Sequence, residues 1–167
     1  INEASLSPEL GNAIDDSKKL SGLRRETLYR QFDGAIQTGV GLANVDEIDQ
    51  LNILQATLLA MKRAVEDLGV SVDMALIDGN RAPELGPTPT DCIVKGDARS
   101  LSIAAASIVA KVTRDRIMTE LSGRYPGYGW ERNSGYGTAE HQAALNRLGV
   151  TPEHRKSFAP IRKILGS

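Results

Sequence analysis

The sequence predicts an α/β domain with a partly parallel sheet, on three observations. Apolar residues recur at helical spacing in several segments. Two short strand-like runs, ending at Asp78 and near Lys95, lie between the longest of those segments, and glycine or proline marks nearly every junction.

Taken in order, Ser21 is placed to cap a helix whose apolar positions Leu23, Leu28, Phe32 and Ile36 run on to Gly39. Residues 40–45, VGLANV, read as a short strand. From Asp46 to Leu68 the positions Leu51, Leu54, Leu58, Met61, Val65 and Leu68 predict one long helix, with Gly69 as its C-terminal cap. VDMALIDGNR (72–81) is a strand ending at Asp78. A loop carrying Pro83, Pro87 and Pro89 leads to a second strand ending near Lys95, in which Cys92 sits in an apolar run. Residues 100–124 form another long helix, rich in small residues at AAAS and stopped by Tyr125-Pro126. PGYGWERNSGYG (126–137) is a glycine- and aromatic-rich loop. A helix capped by Thr138 and closed by Gly149 follows, and Thr151-Pro152 opens the basic segment HRKSFAPIRK. No repeat, low-complexity tract or linker divides the chain.

Composition excludes several function classes. A chain of 167 residues, 41% hydrophobic and 25% charged, can bury a core of its own. No apolar run approaches the roughly 18 residues of a spanning helix, so no membrane role is expected and the cytoplasm is the expected location. One cysteine supplies neither a disulfide framework nor a zinc cluster. A net charge of -1 gives no global sign of nucleic-acid binding, which must rest on local clusters. Residue 1 is Ile, which points to a processed chain or a fragment of something longer.

Asp78 and Asp97 carry the chemistry. Open α/β sheets bind ligands at the carboxyl ends of their strands, and both aspartates stand at such ends, each beside a glycine. Paired carboxylates there could hold a hard divalent cation such as Mg²⁺. Two-metal sites use such ions to activate a water and stabilise the leaving oxygen in phosphodiester hydrolysis. The plainer reading makes the Asp-Gly and Gly-Asp pairs ordinary turns.

Longer phrases bear on that choice. DDSKKLS (15–21), EIDQLNILQATLLAM (47–61), LIDGNR (76–81), VKGDARSLSIAAASIVAKVTRDR (94–116), GYGT (135–138) and HRKSF (154–158) stand in the order and approximate spacing of bacterial ribonuclease HII, the type 2 ribonuclease H. The chain resembles that family from Asp15 onward. The resemblance implies a single ribonuclease H-like domain, a mixed sheet flanked by helices, with residues 137–167 as a C-terminal helical substrate-binding segment. It implies an endonuclease that cuts the RNA strand of RNA–DNA hybrids and nicks DNA at embedded ribonucleotides in ribonucleotide excision repair, using Mg²⁺ or Mn²⁺. Asp78 and Asp97 would be two of four catalytic, metal-binding carboxylates. The other two belong in the family to a first strand of the type Asp-Glu-x-Gly-Arg-Gly, and no such phrase occurs in these residues. That strand is expected in a longer parent protein, with Ile1 as the tail of a second strand, and the chain as written is expected to be inactive without it. Asp115 in TRDR matches no family ligand and is expected to pair with a neighbouring arginine.

The resemblance also implies substrate contacts. Ser17, Lys18 and Lys19 would meet backbone phosphates, although alone two lysines merely solvate a helix start. Asn80, Arg81 and Lys95 flank the two aspartates, and Ser107 and Lys111 would face the substrate from the long helix. Tyr136 would stack on the sugar just past the ribonucleotide, and Ser134 stands where a lysine is common in bacterial relatives, removing one phosphate contact. His154, Arg155, Lys156 and Ser157 would track a strand, with Phe158 in the core and His141 a surface or capping residue. Two readings stand: a metal-dependent ribonuclease, and a catalytically dead module that binds hybrids through Lys18, Lys19, Tyr136 and Arg155. A monomer is expected, and no clamp-binding peptide is evident in the closing RKILGS.

Overall fold

In the computed structural model, residue 1 and residues 6–166 are described. They form two compact units, one of Ile1–Leu42 with Leu58–Val112, the other of Ala43–Thr57 with Thr113–Ser167.

The first unit begins with helix α1 (Pro8–Ala13), capped by the Ser7 hydroxyl, and helix α2 (Gly22–Phe32). The Ser21 hydroxyl accepts the Arg24 N–H at 3.2 Å, as the sequence predicts. The helix ends at Phe32, short of the predicted Gly39, because Gly34 enters the left-handed region at φ 72°. Leu28 and Phe32 are buried, whereas Leu23, read as part of the same stripe, is 81% exposed. With Leu10 and Ile14 they meet Ala104, Ala105, Ile108, Val109 and Val112 of helix α5 (Leu101–Arg124) in one apolar cluster. The small residues of AAAS thus let α5 approach α1 and α2.

Strand β1 (Ala75–Asp78) pairs in parallel with β2 (Thr90–Ile93), Asp78 opposite Ile93. Cys92, although it sits in an apolar run, is exposed. Residues 40–45 are not a strand. Gly39 and Gly41 instead lie against the backbone of helix α4 (Ile53–Asp67), where a Cβ on Gly41 would stand 2.0 Å from the Ala60 carbonyl oxygen. The Val40 N–H donates to Asp67 and the Arg63 guanidinium to the Leu42 carbonyl, so helix side chains satisfy this segment in place of a neighbouring strand.

The predicted helix over 46–68 is two helices, α3 (Val45–Leu51) and α4. Asn52 separates them at φ 71°, its Oδ1 accepting the N–H groups of Leu54 and Gln55. An asparagine tolerates that backbone and offers the new helix its cap, an effect that apolar periodicity does not register. Asn44 and Glu47 form a reciprocal capping box at the start of α3.

In the second unit, the 126–137 loop contains a short helix, α6 (Trp130–Asn133), not foreseen in the sequence. Helix α7 (Ala139–Leu148) is capped by Thr138 and closed by Gly149 as predicted, and α8 (Ala159–Leu165) begins within the basic segment. Trp130, Tyr128, Met118, Ala144, Leu145 and Ile161 form the core. Two expectations fail here. Phe158 is 45% exposed beneath the Arg155 guanidinium, and His141 is buried.

Candidate functional site

Pairing of β1 with β2 brings their carboxyl ends together. Asp78 closes β1, and its Oδ1 accepts the Gly96 N–H at 2.9 Å, one residue before Asp97. Gly96 is buried against Ile103, whose Cδ1 a Cβ would approach within 2.4 Å, so a larger residue here would have to displace that side chain. Lys95 precedes it in the left-handed conformation, φ 56°, and Asp97 lies in the 3-10 turn that follows, Gly96–Ala98.

A cation already stands there. The Lys18 ammonium is 3.1 Å from Asp97 Oδ2, with the Asp97 side chain only 11% exposed. The Asp97 carboxylate, by hydrogen bond and by charge, holds the Lys18 ammonium above its ordinary range, and Asp16 and Asp78 add smaller pulls in the same direction. Lys18 is set by its own loop, its N–H donating to Asp16. Lys19 pairs with Asp15 at 3.1 Å. Ser17 is buried, and its carbonyl accepts from Arg25. Asn80 and Arg81 are exposed just beyond Asp78. On α5 the Ser107 hydroxyl donates to the Ala104 carbonyl at 2.8 Å, and Lys111 is half-buried.

The second unit holds the remaining predicted residues. Tyr136 is 59% exposed, with the Arg114 guanidinium 5.9 Å from its ring centroid. Arg114 also donates to the Ser134 carbonyl, and the Ser134 hydroxyl donates to Asp115 at 2.6 Å. Asp115 therefore braces the tyrosine loop through Ser134. The Ser157 hydroxyl and N–H both donate to Asp49, and Arg155 lies half-buried over Phe158.

Sequence reasoning missed a buried polar cluster in this unit. The Trp130 indole N–H donates to His141 Nδ1 at 3.1 Å, and His141 Nε2 lies 3.3 Å from His154 Nε2. Burial depresses both histidines, and for His154 the neighbouring imidazole adds to the effect. Their separation in sequence gave no signal; the aromatic density of 125–130 was the only hint.

Among the described residues, no three His, Cys, Asp or Glu side chains stand together in a metal-binding arrangement. The Asp78–Asp97 pair is nonetheless suited to a hard cation, since Mg²⁺ commonly takes one or two carboxylates plus water and phosphate oxygens. A model of the family described as ribonuclease HII matches residues 6–161. The chain belongs to the ribonuclease HII family.

The ribonuclease HII of Rhodospirillum rubrum is 57% identical over 167 residues, spanning 99% of this chain and 76% of that protein. That of Jannaschia sp. is 56% identical, spanning 94% of this chain and 79% of that protein. Among solved structures, the ribonuclease H2 of Pyrococcus horikoshii superposes with a TM-score of 0.74 at 26% identity, over 93% of this chain and 82% of that one. The ribonuclease HII in a PCNA complex from Archaeoglobus fulgidus, at 22% identity and a TM-score of 0.69 over 91% of this chain and 81% of that one, shares the fold. The chain is thus a ribonuclease H-like α/β protein of bacterial ribonuclease HII type, a member of a family of ribonuclease H hydrolases.

Proposed function

We propose that Asp78 and Asp97 are catalytic metal ligands of a two-metal endonuclease that cuts the RNA strand of hybrids and nicks DNA at embedded ribonucleotides, with Mg²⁺ or Mn²⁺ as the ion. The observation carrying this reading is the Lys18 ammonium on Asp97: the strand ends already hold a positive charge. When bound, the ions would lower the pKa of the attacking water and stabilise the leaving oxygen. Asp78 contributes a carboxylate whose orientation is fixed by the Gly96 N–H, leaving its second oxygen for a ligand. Asp97 contributes the oxygen that Lys18 now contacts, and Lys18, once displaced, is free to meet a phosphate.

Contacts to the nucleic acid are assigned within each unit. Ser17, Lys18, Lys19, Asn80, Arg81, Lys95, Ser107 and Lys111 belong to the first, Tyr136, Arg155 and Ser157 to the second. Phosphate contacts orient the duplex, and an exposed aromatic ring supplies a stacking face.

The test uses a duplex containing one ribonucleotide. In Mg²⁺ or Mn²⁺ the 167 residues as written, which contain no Asp-Glu-x-Gly-Arg-Gly phrase, do not cut it, because half the expected carboxylates are missing. The chain joined to a first hairpin from a ribonuclease HII cuts it, and Asp78→Asn abolishes that cutting. Robust cleavage by the chain as written would mean that other carboxylates do the chemistry. Failure of the hairpin to restore cleavage would favour a module that binds hybrids without cutting them.

A further inference from the structure

Asp49 lies on α3, far in sequence from any residue assigned above. Its Oδ2 accepts the Lys156 N–H at 2.8 Å, and its Oδ1 accepts the Ser157 N–H at 3.0 Å and the Ser157 hydroxyl at 2.5 Å. The carboxylate thus grips two consecutive backbone amides across more than a hundred residues. The Ser157 hydroxyl, followed by the Ser157 and Lys156 amides, holds the Asp49 carboxyl below the usual carboxylate range against the opposing effect of burial. Charge-assisted bonds of this kind are shorter and stronger than neutral ones.

Just before those amides, His154 is buried against His141 and Trp130, and its Nδ1 is bonded to the Thr151 N–H. Arg155 is therefore bracketed, with a buried ring on one side and a carboxylate fork on the other. The only freedom left to it is that of its side chain, which lies over Phe158. A negative charge beside a phosphate-binding arginine opposes substrate binding unless it does something else. Here its lone pairs are taken up by the loop backbone.

We infer that Asp49 is a positioning residue, which fixes the 154–158 loop so that Arg155 is held ready for the nucleic-acid backbone. The inference rests on the reading of Arg155 as a substrate contact. Asp49→Asn keeps the size but turns an amide N–H₂ toward donors, so the fork opens. Asp49→Glu keeps the charge but displaces the fork by one methylene from the two amides.

The test measures fluorescence anisotropy of a labelled RNA–DNA hybrid against the full chain bearing Asp49→Asn, Arg155→Ala or both, across a salt series, together with hydrogen exchange at the Lys156 and Ser157 amides. Each single change is expected to weaken binding by about fivefold to tenfold and to lower the slope of log affinity against log salt by about 1. The double variant binds no more weakly than the weaker single, and Asp49→Asn accelerates exchange at both amides. Additive losses, or faster exchange with affinity unchanged while Arg155→Ala still weakens binding, would overturn the positioning role and leave the substrate reading intact. An Arg155→Ala variant with wild-type affinity would instead remove the substrate reading of this loop, and the inference with it. Should Asp49→Asn lose its thermal transition, Asp49→Glu carries the test: a partial loss, non-additive with Arg155→Ala and accompanied by faster exchange at the two amides, supports the role, and an additive one overturns it.

Discussion

Lys18 Nζ and Asp97 Oδ2 lie 3.1 Å apart, joining a loop near the start of the chain to the turn after β2. The pair sets lysine and metal in competition for one oxygen. With Lys18→Ala, Mn²⁺ titrated calorimetrically in the absence of nucleic acid is expected to bind several-fold tighter, because no ammonium must be displaced from Asp97. Weaker binding would show that Lys18 supports the ion site rather than occupying it.

Binding of a hybrid tests the same lysine differently. A Lys18→Ala, Lys19→Ala double variant is expected to lower the slope of log affinity against log salt by about 2, one for each lost phosphate contact. An unchanged slope in the double variant would return both lysines to the role of solvated charges.

The buried histidines predict an acid-labile second unit. Both fall below the ordinary value of 6.5, mainly through burial. The unfolded chain therefore binds more protons than the folded one as pH falls below 6.5, so stability is fully present above that value and declines below it. His141 Nδ1 accepts the indole N–H, so a second ring proton has no room without breaking that bond. Thermal midpoints are expected to drop between pH 7 and pH 5, and the drop should shrink in His154→Gln. The depressed carboxyls of Asp15 and Asp49 act only below their ordinary value of 3.8, outside this window.

Gly41→Ala tests the close approach of residues 40–45 to α4. The new methyl would stand 2.0 Å from the Ala60 carbonyl oxygen and 2.4 Å from the Ala64 nitrogen, both backbone atoms. Overpacking of this kind costs about 1–3 kcal/mol, and more where backbone must shift. Chemical denaturation should show the loss, whereas Gly34→Ala, with nothing within 4 Å, should show only the smaller cost of its positive φ.

Tyr136 is braced by Arg114 yet keeps an exposed face. Tyr136→Ala should weaken hybrid binding by about 1–3 kcal/mol, the usual worth of an aromatic stacking contact, with Tyr136→Phe close to wild type. Equal losses in both variants would assign the effect to the hydroxyl.

The sequence by itself determined several element boundaries and the family. Caps at Ser21 and Thr138, the stop at Gly149 and the strand ending at Asp78 are local facts, settled by side chains within four residues of each boundary. The phrases around Asp78 and Asp97 were legible for the same reason. Tertiary structure decided what depends on distant partners. Residues 40–45 carry a strand's composition but lie on α4, because their glycines admit a helix backbone at contact distance. The 46–68 pattern held only one helix until Asn52 offered its own cap and a positive φ. His141 read as a surface or capping residue because it stands in the first turn of a helix between Glu140 and Gln142; Trp130 and His154 bury it from other elements. Lys18 met Asp97, and Asp49 met Ser157, only once the chain closed, since hydrogen bonds between residues 79 and 108 positions apart leave no trace in local spacing.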